Sequence, residues 1–315
     1  MKMIALVTAL ALCMVACQHE NKAVSQPTQT AAAANNAPAT NGAGIKPPKK
    51  AWELDNLKGN VKKITENRYH ASEKDGKVVQ GSKLQEENDL SNTYNEKGNI
   101  IENIRSDFKT KKIIKQVYIY NDQDLLVETK VFEITKNFTT SEKLKTRYEL
   151  KYNDQGLNTE TRTIFNDTLR EITTAVFDKK GNKTQEDKKK PDTDELFAHS
   201  VYGYDDYGNV IETQNFDKKN TLFNKGMFSF NQKGQQTEEI WEYPQQKATI
   251  TKKIYYDANG NINKLDNKIQ GNNPKGDTLQ EFKYEFDDKG NWIKQIMILN
   301  GKVEGMSLRT IEYFD

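Results

Sequence analysis

Carboxylates are the side chains in this sequence whose spacing first suggests chemistry. Paired carboxylates can act as general acid and base, and clusters of them can bind calcium. Those with regular spacing are Asp178, Asp205, Asp206, Asp257, Asp287 and Asp288. All stand at or next to the start of a repeated phrase that ends in Gly, where a tight turn favours Asp or Asn. We interpret them as turn residues rather than as catalytic or calcium-binding groups.

Histidine and the common nucleophile motifs offer little further chemistry. The chain has three His, of which His19 lies near the N-terminus and His70 and His199 fall in or near predicted loops. Two such His without Cys cannot supply a typical zinc set. No Gly-x-Ser-x-Gly, His-Glu-x-x-His or Walker-type glycine loop occurs. The sequence therefore predicts no catalytic residue, no metal and no cofactor.

Large aromatic residues are the remaining candidates for a binding surface. Trp241 and Tyr243 are two residues apart and so share one face of a strand, and Trp292 follows the Gly290 turn by two. Exposed aromatic rings can stack on sugars or anchor a protein partner, although such residues more often belong to a core. We take Trp241, Tyr243 and Trp292 as the candidate aromatic binding surface.

The N-terminus resembles a bacterial export signal. One Lys precedes about a dozen apolar residues, fewer than the roughly 20 that a membrane-spanning helix needs. The stretch ends in Met14-Val15-Ala16-Cys17, which is similar to the lipobox whose Cys becomes acylated. The sequence predicts a signal peptide over residues 1–16 and lipidation of Cys17. An ordinary signal peptide with a chance Cys is the alternative.

Residues 17–50 are predicted to be the lipidated Cys and a disordered tether, because Ala, Asn, Thr, Gln and Pro dominate without an apolar period. Gln18 after Cys17 favours the outer membrane, by resemblance to enterobacterial sorting. The expected location is the bacterial cell envelope, with the protein lipid-anchored. Residues 51–315 form the predicted folded domain.

The lipid anchor can be tested by replacing Cys17 with Ala. We expect the variant to incorporate no radiolabelled palmitate and to appear in a soluble periplasmic fraction, because the acyl chains supply the membrane affinity. The wild-type chain is the control. If the wild type also takes up no palmitate, the predicted anchor is wrong.

A short phrase recurs eight times and organises the folded domain. It reads Tyr or Phe, then Asp or Asn, two variable residues, and a final position that is usually Gly. The final positions are Gly98, Asp124, Gly156, Gly181, Gly208, Gly234, Gly260 and Gly290. A nearly fixed period indicates a repeat architecture. Residues 57–61 resemble a degenerate ninth copy, and residues 309–315 a strand ending a tenth.

Each copy has the physical signature of a β-hairpin. Asp or Asn starts a type I turn, and Gly, or Asp124 if it tolerates the left-handed conformation, supplies the positive φ that closes it. Apolar residues alternate before the turns, as strands require. A loop of four unpaired residues predicts the cross-strand pairs Tyr202 with Ile211, Phe228 with Thr237 and Tyr284 with Ile293. A bulged turn would shift this register.

The phrase resembles the YD repeats of bacterial RHS-type proteins over about residues 57–315. Asp124 in place of Gly, and Phe in place of Tyr, depart from that pattern. In large members of this group the repeats wrap into a shell around a toxic C-terminal segment. Our chain is shorter and ends on a repeat strand, so the resemblance implies a hairpin array without shell closure or toxin carriage.

The expected fold follows from the number of hairpins. Nine hairpins give about 18 strands, and twisted sheets seldom exceed about 10 strands without curling. We predict an all-β fold, an antiparallel meander of repeated β-hairpins curled into a trough or an open barrel-like sheet.

Charge and the predicted anchor limit the function. Lys and Arg number 47 against 45 Asp and Glu, with the two signs interspersed, so nucleic acid is not an expected partner. We predict a membrane-tethered, non-catalytic binding or scaffold lipoprotein with a protein or glycan partner. An immunity-type lipoprotein that neutralises a toxin is one alternative. A cell-wall or glycan hydrolase is another, although the sequence singles out no carboxylate pair for it.

Overall fold

The computed structural model describes residues 50–84, 89–106, 112–136, 140–271 and 276–315. The predicted signal peptide, Cys17 and most of the tether lie outside these ranges. A four-residue helix, α1 (Ala51–Leu54), precedes a single 19-stranded sheet. Within the described ranges, no helix has the length and apolar character that crossing a membrane takes.

The strands follow one another along the chain as an antiparallel meander. They are β1 (Val61–Lys74), β2 (Lys77–Lys83), β3 (Leu90–Tyr94), β4 (Ile100–Ser106), β5 (Ile113–Tyr120), β6 (Leu126–Lys136), β7 (Thr140–Tyr152), β8 (Asn158–Phe165), β9 (Thr168–Phe177), β10 (Lys183–Lys189), β11 (Leu196–Tyr204), β12 (Val210–Asp217), β13 (Leu222–Phe230), β14 (Gln236–Tyr243), β15 (Ala248–Tyr256), β16 (Ile262–Gln270), β17 (Thr278–Phe286), β18 (Trp292–Leu299) and β19 (Lys302–Tyr313).

The sheet closes on itself through β1. Ile64 of β1 pairs with Ile311 of β19 on one side and with Asn92 of β3 on the other. Strand β2 forms a hairpin with the C-terminal half of β1, so β1 and β3–β19 make a closed barrel of 18 strands. The predicted all-β antiparallel meander is confirmed, and the predicted trough or open sheet is wrong because β1 and β19 pair.

Closure completes a repeat that is split between the two ends of the domain. Tyr313 pairs with Val61, and these two residues occupy the positions that pair next to the turn in each continuous hairpin. The Phe314 N–H donates to the Asn60 carbonyl oxygen at 2.8 Å, as the first turn residue does elsewhere. Gly59 has φ +73°, within the +72° to +84° range of the turn glycines. Residues 57–61, predicted as a separate ninth copy, therefore supply half of this repeat.

The turns have the predicted chemistry. The Gly208 N–H donates to the Asp205 carbonyl at 3.1 Å, and Asp205 Oδ1 accepts the Asn209 N–H at 2.8 Å. Gly208 and Gly260 have φ of +82° and +84°, which confirms their predicted conformation. Asp124 takes the same left-handed conformation, at φ +60°. Asp or Asn and Gly are thus used where the backbone needs them.

The predicted cross-strand pairs are wrong by two positions. Tyr204 pairs with Val210 because the turn is bulged, and a second irregularity follows immediately between Gly203 and Tyr204. Each shifts the register by one residue. The observed pairs are Tyr202 with Thr213, Phe228 with Glu239 and Tyr284 with Gln295.

The two faces of the barrel wall differ in exposure. We call inner wall the face that carries the buried side chains of Asn103, Thr129 and Thr213, which the register places on one side of the sheet. The outer wall is the opposite face, where Val176 and Tyr255 are 54% and 43% exposed. The eight Gly-type turns lie at one end, the turn rim, and the other connections form the loop rim.

Residues 50–60 form a cap segment that lies on the turn rim. The Trp52 indole N–H donates to the Val61 carbonyl at 2.8 Å, and its ring lies over Gly98. Further along, the Asn56 amide donates to Asn261 Oδ1 at 3.1 Å. The cap segment thereby joins turns on both sides of β1 and β19, which we call the closing strands.

A second set of contacts holds the cap segment to the closing strands. Asn291 Oδ1 accepts the Lys58 N–H at 2.8 Å, and the Asn291 amide donates to the Lys58 carbonyl at 2.8 Å. On the other side of the closing strands, the Tyr94 hydroxyl donates to Asp55 at 2.7 Å. Val61, Ile64 and Tyr94 form a small apolar core beneath the cap segment.

Candidate functional site

One aromatic residue from each continuous repeat lines the inner wall near the turn rim. Several of the Tyr hydroxyls donate to a backbone carbonyl of the preceding hairpin, as Tyr152 does to Leu126 at 2.7 Å and Tyr204 to Lys183 at 2.8 Å. These bonds tie neighbouring hairpins together, so the repeat Tyr is a structural residue. The set is Tyr94, Tyr120, Tyr152, Phe177, Tyr204, Phe230, Tyr256 and Phe286.

This role predicts opposite effects of adding and removing one hydroxyl. Tyr152→Phe should lower the free energy of unfolding by about 0.5–1.5 kcal/mol, because the Leu126 carbonyl loses its partner. Phe230→Tyr should be neutral or stabilising, since Phe230 occupies the equivalent place in its own repeat. Urea denaturation of both variants provides the measurement. Equal effects of the two changes would contradict the assignment.

Trp241 and Tyr243 both face the interior of the barrel from β14. Trp241 pairs with Gly226 across the strands, and its ring meets that of Phe228 edge-on at 5.7 Å and 81°. Its indole N–H donates to Glu239 Oε1, and Glu239 Oε2 accepts a hydrogen bond from Lys252 at 2.7 Å. The indole is therefore held by a glycine gap, a ring and an ion pair.

Trp292 lies in a different environment on the inner wall. The Arg309 guanidinium stacks over its ring at 3.3 Å, and Tyr284 packs against it at 5.8 Å. Arg309 also pairs with Glu66 at 3.1 Å, and the Glu66 side chain is only 7% exposed. Such stacking is typical of a structural arginine, because the charge is both paired and covered.

The structure divides the predicted three-residue surface into two places. Trp241 and Tyr243 share β14, as predicted, whereas Trp292 lies on β18. Four strand steps separate β14 from β18, which is about 19 Å along the sheet. The binding role of these residues stays a prediction, and Cys17, the predicted lipidation site, lies outside the described residues.

The turn carboxylates among the other sequence candidates hydrogen-bond within their own turns. The side chains of Asp205 and its equivalents accept hydrogen bonds from backbone N–H groups of their own turns, as Asp287 does from the Asn291 N–H at 2.8 Å. His70 lies in β1 and His199 in β11, each near a strand end, and His199 stacks on Phe216 at 4.6 Å. No group of three His, Cys, Asp or Glu suited to a metal ion occurs among the residues that the structure describes.

Sequence reasoning missed the charged residues of the inner wall. Glu66 with Arg309, and Glu239 with Lys252, form ion pairs there. In sequence these residues look like the charged residues of a solvated face, because strand alternation does not say which face a barrel encloses. One signal was available: Glu239 and Trp241 are two residues apart and share a face.

A buried carboxyl near the closing strands gives the stability a pH dependence. Asp89 is 5% exposed, and this burial raises its pKa above the ordinary value of 3.8, although Oδ2 accepts the Arg68 N–H. A raised folded-state pKa means that stability present in acid is lost as the pH rises through it.

We therefore expect Asp89→Asn to gain stability relative to wild type as the pH rises from mildly acidic to neutral. The amide oxygen of Asn can still accept the Arg68 N–H, while no charge has to be buried. Melting temperatures of both proteins at the two pH values provide the measurement. A wild type that becomes more stable relative to Asp89→Asn at neutral pH would contradict the expectation.

No protein-family model and no curated protein matches this chain. Among solved structures, a porin-like protein from Bacteroides uniformis is 10% identical with a TM-score of 0.44, covering 80% of this chain and 96% of its own. A porin-like protein from Bacteroides vulgatus is 11% identical with a TM-score of 0.29, covering 81% and 99%. A Photorhabdus luminescens Tc holotoxin pore is 12% identical with a TM-score of 0.31, covering 74% and 13%.

These findings correct the predicted function. A membrane-tethered binding or scaffold lipoprotein was predicted from the N-terminal signal and the hairpin array, together with a trough or open sheet, whereas the sheet forms a closed barrel. The solved structures named above are described as two porin-like proteins and a toxin pore. The bacterial outer-membrane location and the lipid anchor both stay predictions.

Proposed function

We propose that this protein is a non-catalytic barrel of the bacterial envelope that takes a polar ligand into its lumen. The observation that carries the proposal is the contrast between the two walls. Aromatic rings, hydroxyls and paired charges line the inner wall, where Trp241 stands beside the Glu239–Lys252 pair. Such a lining offers stacking and hydrogen bonding to a polar ligand.

The outer wall carries charges that suit contact with water. Ion pairs follow one another around it, including Lys151 with Glu160 at 2.8 Å and Lys225 with Glu212 at 2.9 Å. A membrane-spanning barrel carries an apolar band on its outer face, and Lys or Arg at the bilayer midplane costs about 2–4 kcal/mol. The outer wall therefore favours a barrel that stands in an aqueous compartment.

The width of the barrel supports a water-filled lumen. Barrels of 16–18 strands are wide enough to leave an aqueous channel. Inner-wall side chains such as Tyr148 and Thr163 are half-buried. The cap segment covers part of the turn rim, so we expect ligand to enter mainly from the loop rim.

Two neighbouring cysteine substitutions test this proposal. Thr163 faces the lumen and Arg162 faces outward on the same strand, β8. In the full chain, Thr163→Cys should react with a small maleimide and be protected from a bulky polymer-linked one. Arg162→Cys should react with both reagents in the purified protein and with the small maleimide in cells. Peptide mapping separates the new thiol from Cys13 and Cys17.

Each contrary outcome has a clear meaning. A Thr163→Cys thiol that reacts with neither reagent would indicate a filled core without a lumen. An Arg162→Cys thiol that does not react with the small maleimide in cells but reacts with it after purification would indicate an outer wall covered by lipid. Either result would overturn the proposed water-surrounded, ligand-holding barrel.

A further inference from the structure

We propose that Trp241 is the stacking platform for a neutral pyranose ring of a β-linked glycan. This inference rests on the proposed ligand-holding barrel and adds the substrate class and the site. It starts from Gly226, which is buried and lies opposite Trp241 on β13. A Cβ there would come within 2.9 Å of both Trp241 Cη2 and Phe228 Cζ. Only glycine leaves room for the indole to lie against the wall at this point.

The indole is held in place by contacts at its edges. Phe228 packs edge-on against it, and the indole N–H is bonded to Glu239. An aromatic ring fixed in this way loses little conformational entropy when a ligand stacks on it, which favours binding. Trp241 is half-buried, so part of its surface is open to the lumen.

Trp241 differs from the other two Trp residues in what covers it. The Arg309 guanidinium lies over the ring of Trp292 at 3.3 Å. Trp52 belongs to the cap segment, and its ring lies over Gly98. Among the described residues, the ring–ring contact found for Trp241 is the edge-on contact with Phe228, and no cation stacks on its face. Trp241 is therefore the Trp that can accept a ligand face.

The chemistry beside the ring selects the ligand class. A β-linked pyranose with equatorial substituents has two faces of C–H groups, which stack on an indole, and hydroxyls around its edge. The Glu239 carboxylate can accept a hydrogen bond from such a hydroxyl, and the Lys252 ammonium can donate one. The two charges are paired at 2.7 Å and balance each other, so a neutral sugar is favoured over an anionic one.

The experiment uses the full chain and cellotetraose, a neutral β-linked oligosaccharide. Titration followed by the indole N–H signals in NMR should shift the signal of Trp241, assigned with Trp241→Phe, and leave the signals of Trp52 and Trp292 in place. Trp241→Ala should weaken binding at least about tenfold.

A glycine pair provides a matched control. Gly226→Ala keeps Trp241 but displaces its ring, and should weaken binding by a similar factor. Gly203→Ala makes the same change on the outer wall, where a Cβ would meet Glu212 Cβ at 3.3 Å, and should bind as wild type does. Melting temperatures show whether each variant is folded. If Trp241→Ala does not fold, the binding measured for Gly226→Ala tests the proposal.

The outcomes separate this site from the proposed function. Unchanged binding in Trp241→Ala and Gly226→Ala would overturn the platform and leave a ligand-holding lumen standing. A lumen that is open by the Thr163→Cys test but does not bind cellotetraose would also overturn the platform alone. A Thr163→Cys thiol closed to the small maleimide would overturn both.

Discussion

Replacing Trp52 with Ala is expected to lower the free energy of unfolding by about 3 kcal/mol, near the lower end of values for large buried aromatic residues. The ring lies over Gly98, and its N–H donates to the Val61 carbonyl at 2.8 Å. The truncation leaves a cavity between the cap segment and the closing strands and removes the partner of that carbonyl. Chemical denaturation of the full chain measures the loss.

Leu54→Ala is the matched control for this prediction. Leu54 lies in the same short helix but is 43% exposed, so its truncation should change stability by less than about 1 kcal/mol. Equal losses in the two variants would show that the helix itself matters and not the packing of Trp52. Amide exchange should become faster around β1 and β19 in Trp52→Ala only.

The second large effect is expected at Gly98. Its φ of +81° strains any residue with a Cβ, at about 1–2 kcal/mol, and a Cβ would also stand 2.6 Å from Trp52 Cε3. Gly98→Ala should therefore displace the cap segment and cost clearly more than turn strain alone. The melting temperature and the fluorescence of Trp52 report the two effects separately.

Gly234→Ala isolates the strain. Gly234 has φ +72° in an equivalent turn, and no atom lies within 4 Å of the position of its Cβ. Its substitution should cost about 1–2 kcal/mol and leave the cap segment in place. If Gly98→Ala and Gly234→Ala are equally destabilising, the contact between Trp52 and the Gly98 turn carries no stability.

The sequence predicted the repeats and their turns because both depend on local chemistry. The Asp205-to-Gly208 phrase needs one backbone conformation wherever it occurs, and the alternation before it needs only period 2. Trp241 and Tyr243 were placed on one face by the same rule. These features lie within one hairpin, so no knowledge of distant residues was needed.

Closure, register and the inner-wall site could not be predicted in the same way. Closure depends on the pairing of β1 with β19, which no local pattern encodes. The register depends on a second irregularity next to each turn, such as that between Gly203 and Tyr204. The contrast between Trp241 and Trp292 depends on Arg309, which comes from a third strand.

The split repeat has a consequence for the order of folding. Each continuous hairpin can form early, because its strands are close in sequence and closing a short loop costs little entropy. The pair formed by Val61 and Tyr313 joins the two ends of the domain and has nearly the largest sequence separation that the chain allows. High contact order slows folding. We therefore expect the hairpins to assemble first and the junction of β1 with β19 to be the late, rate-limiting step.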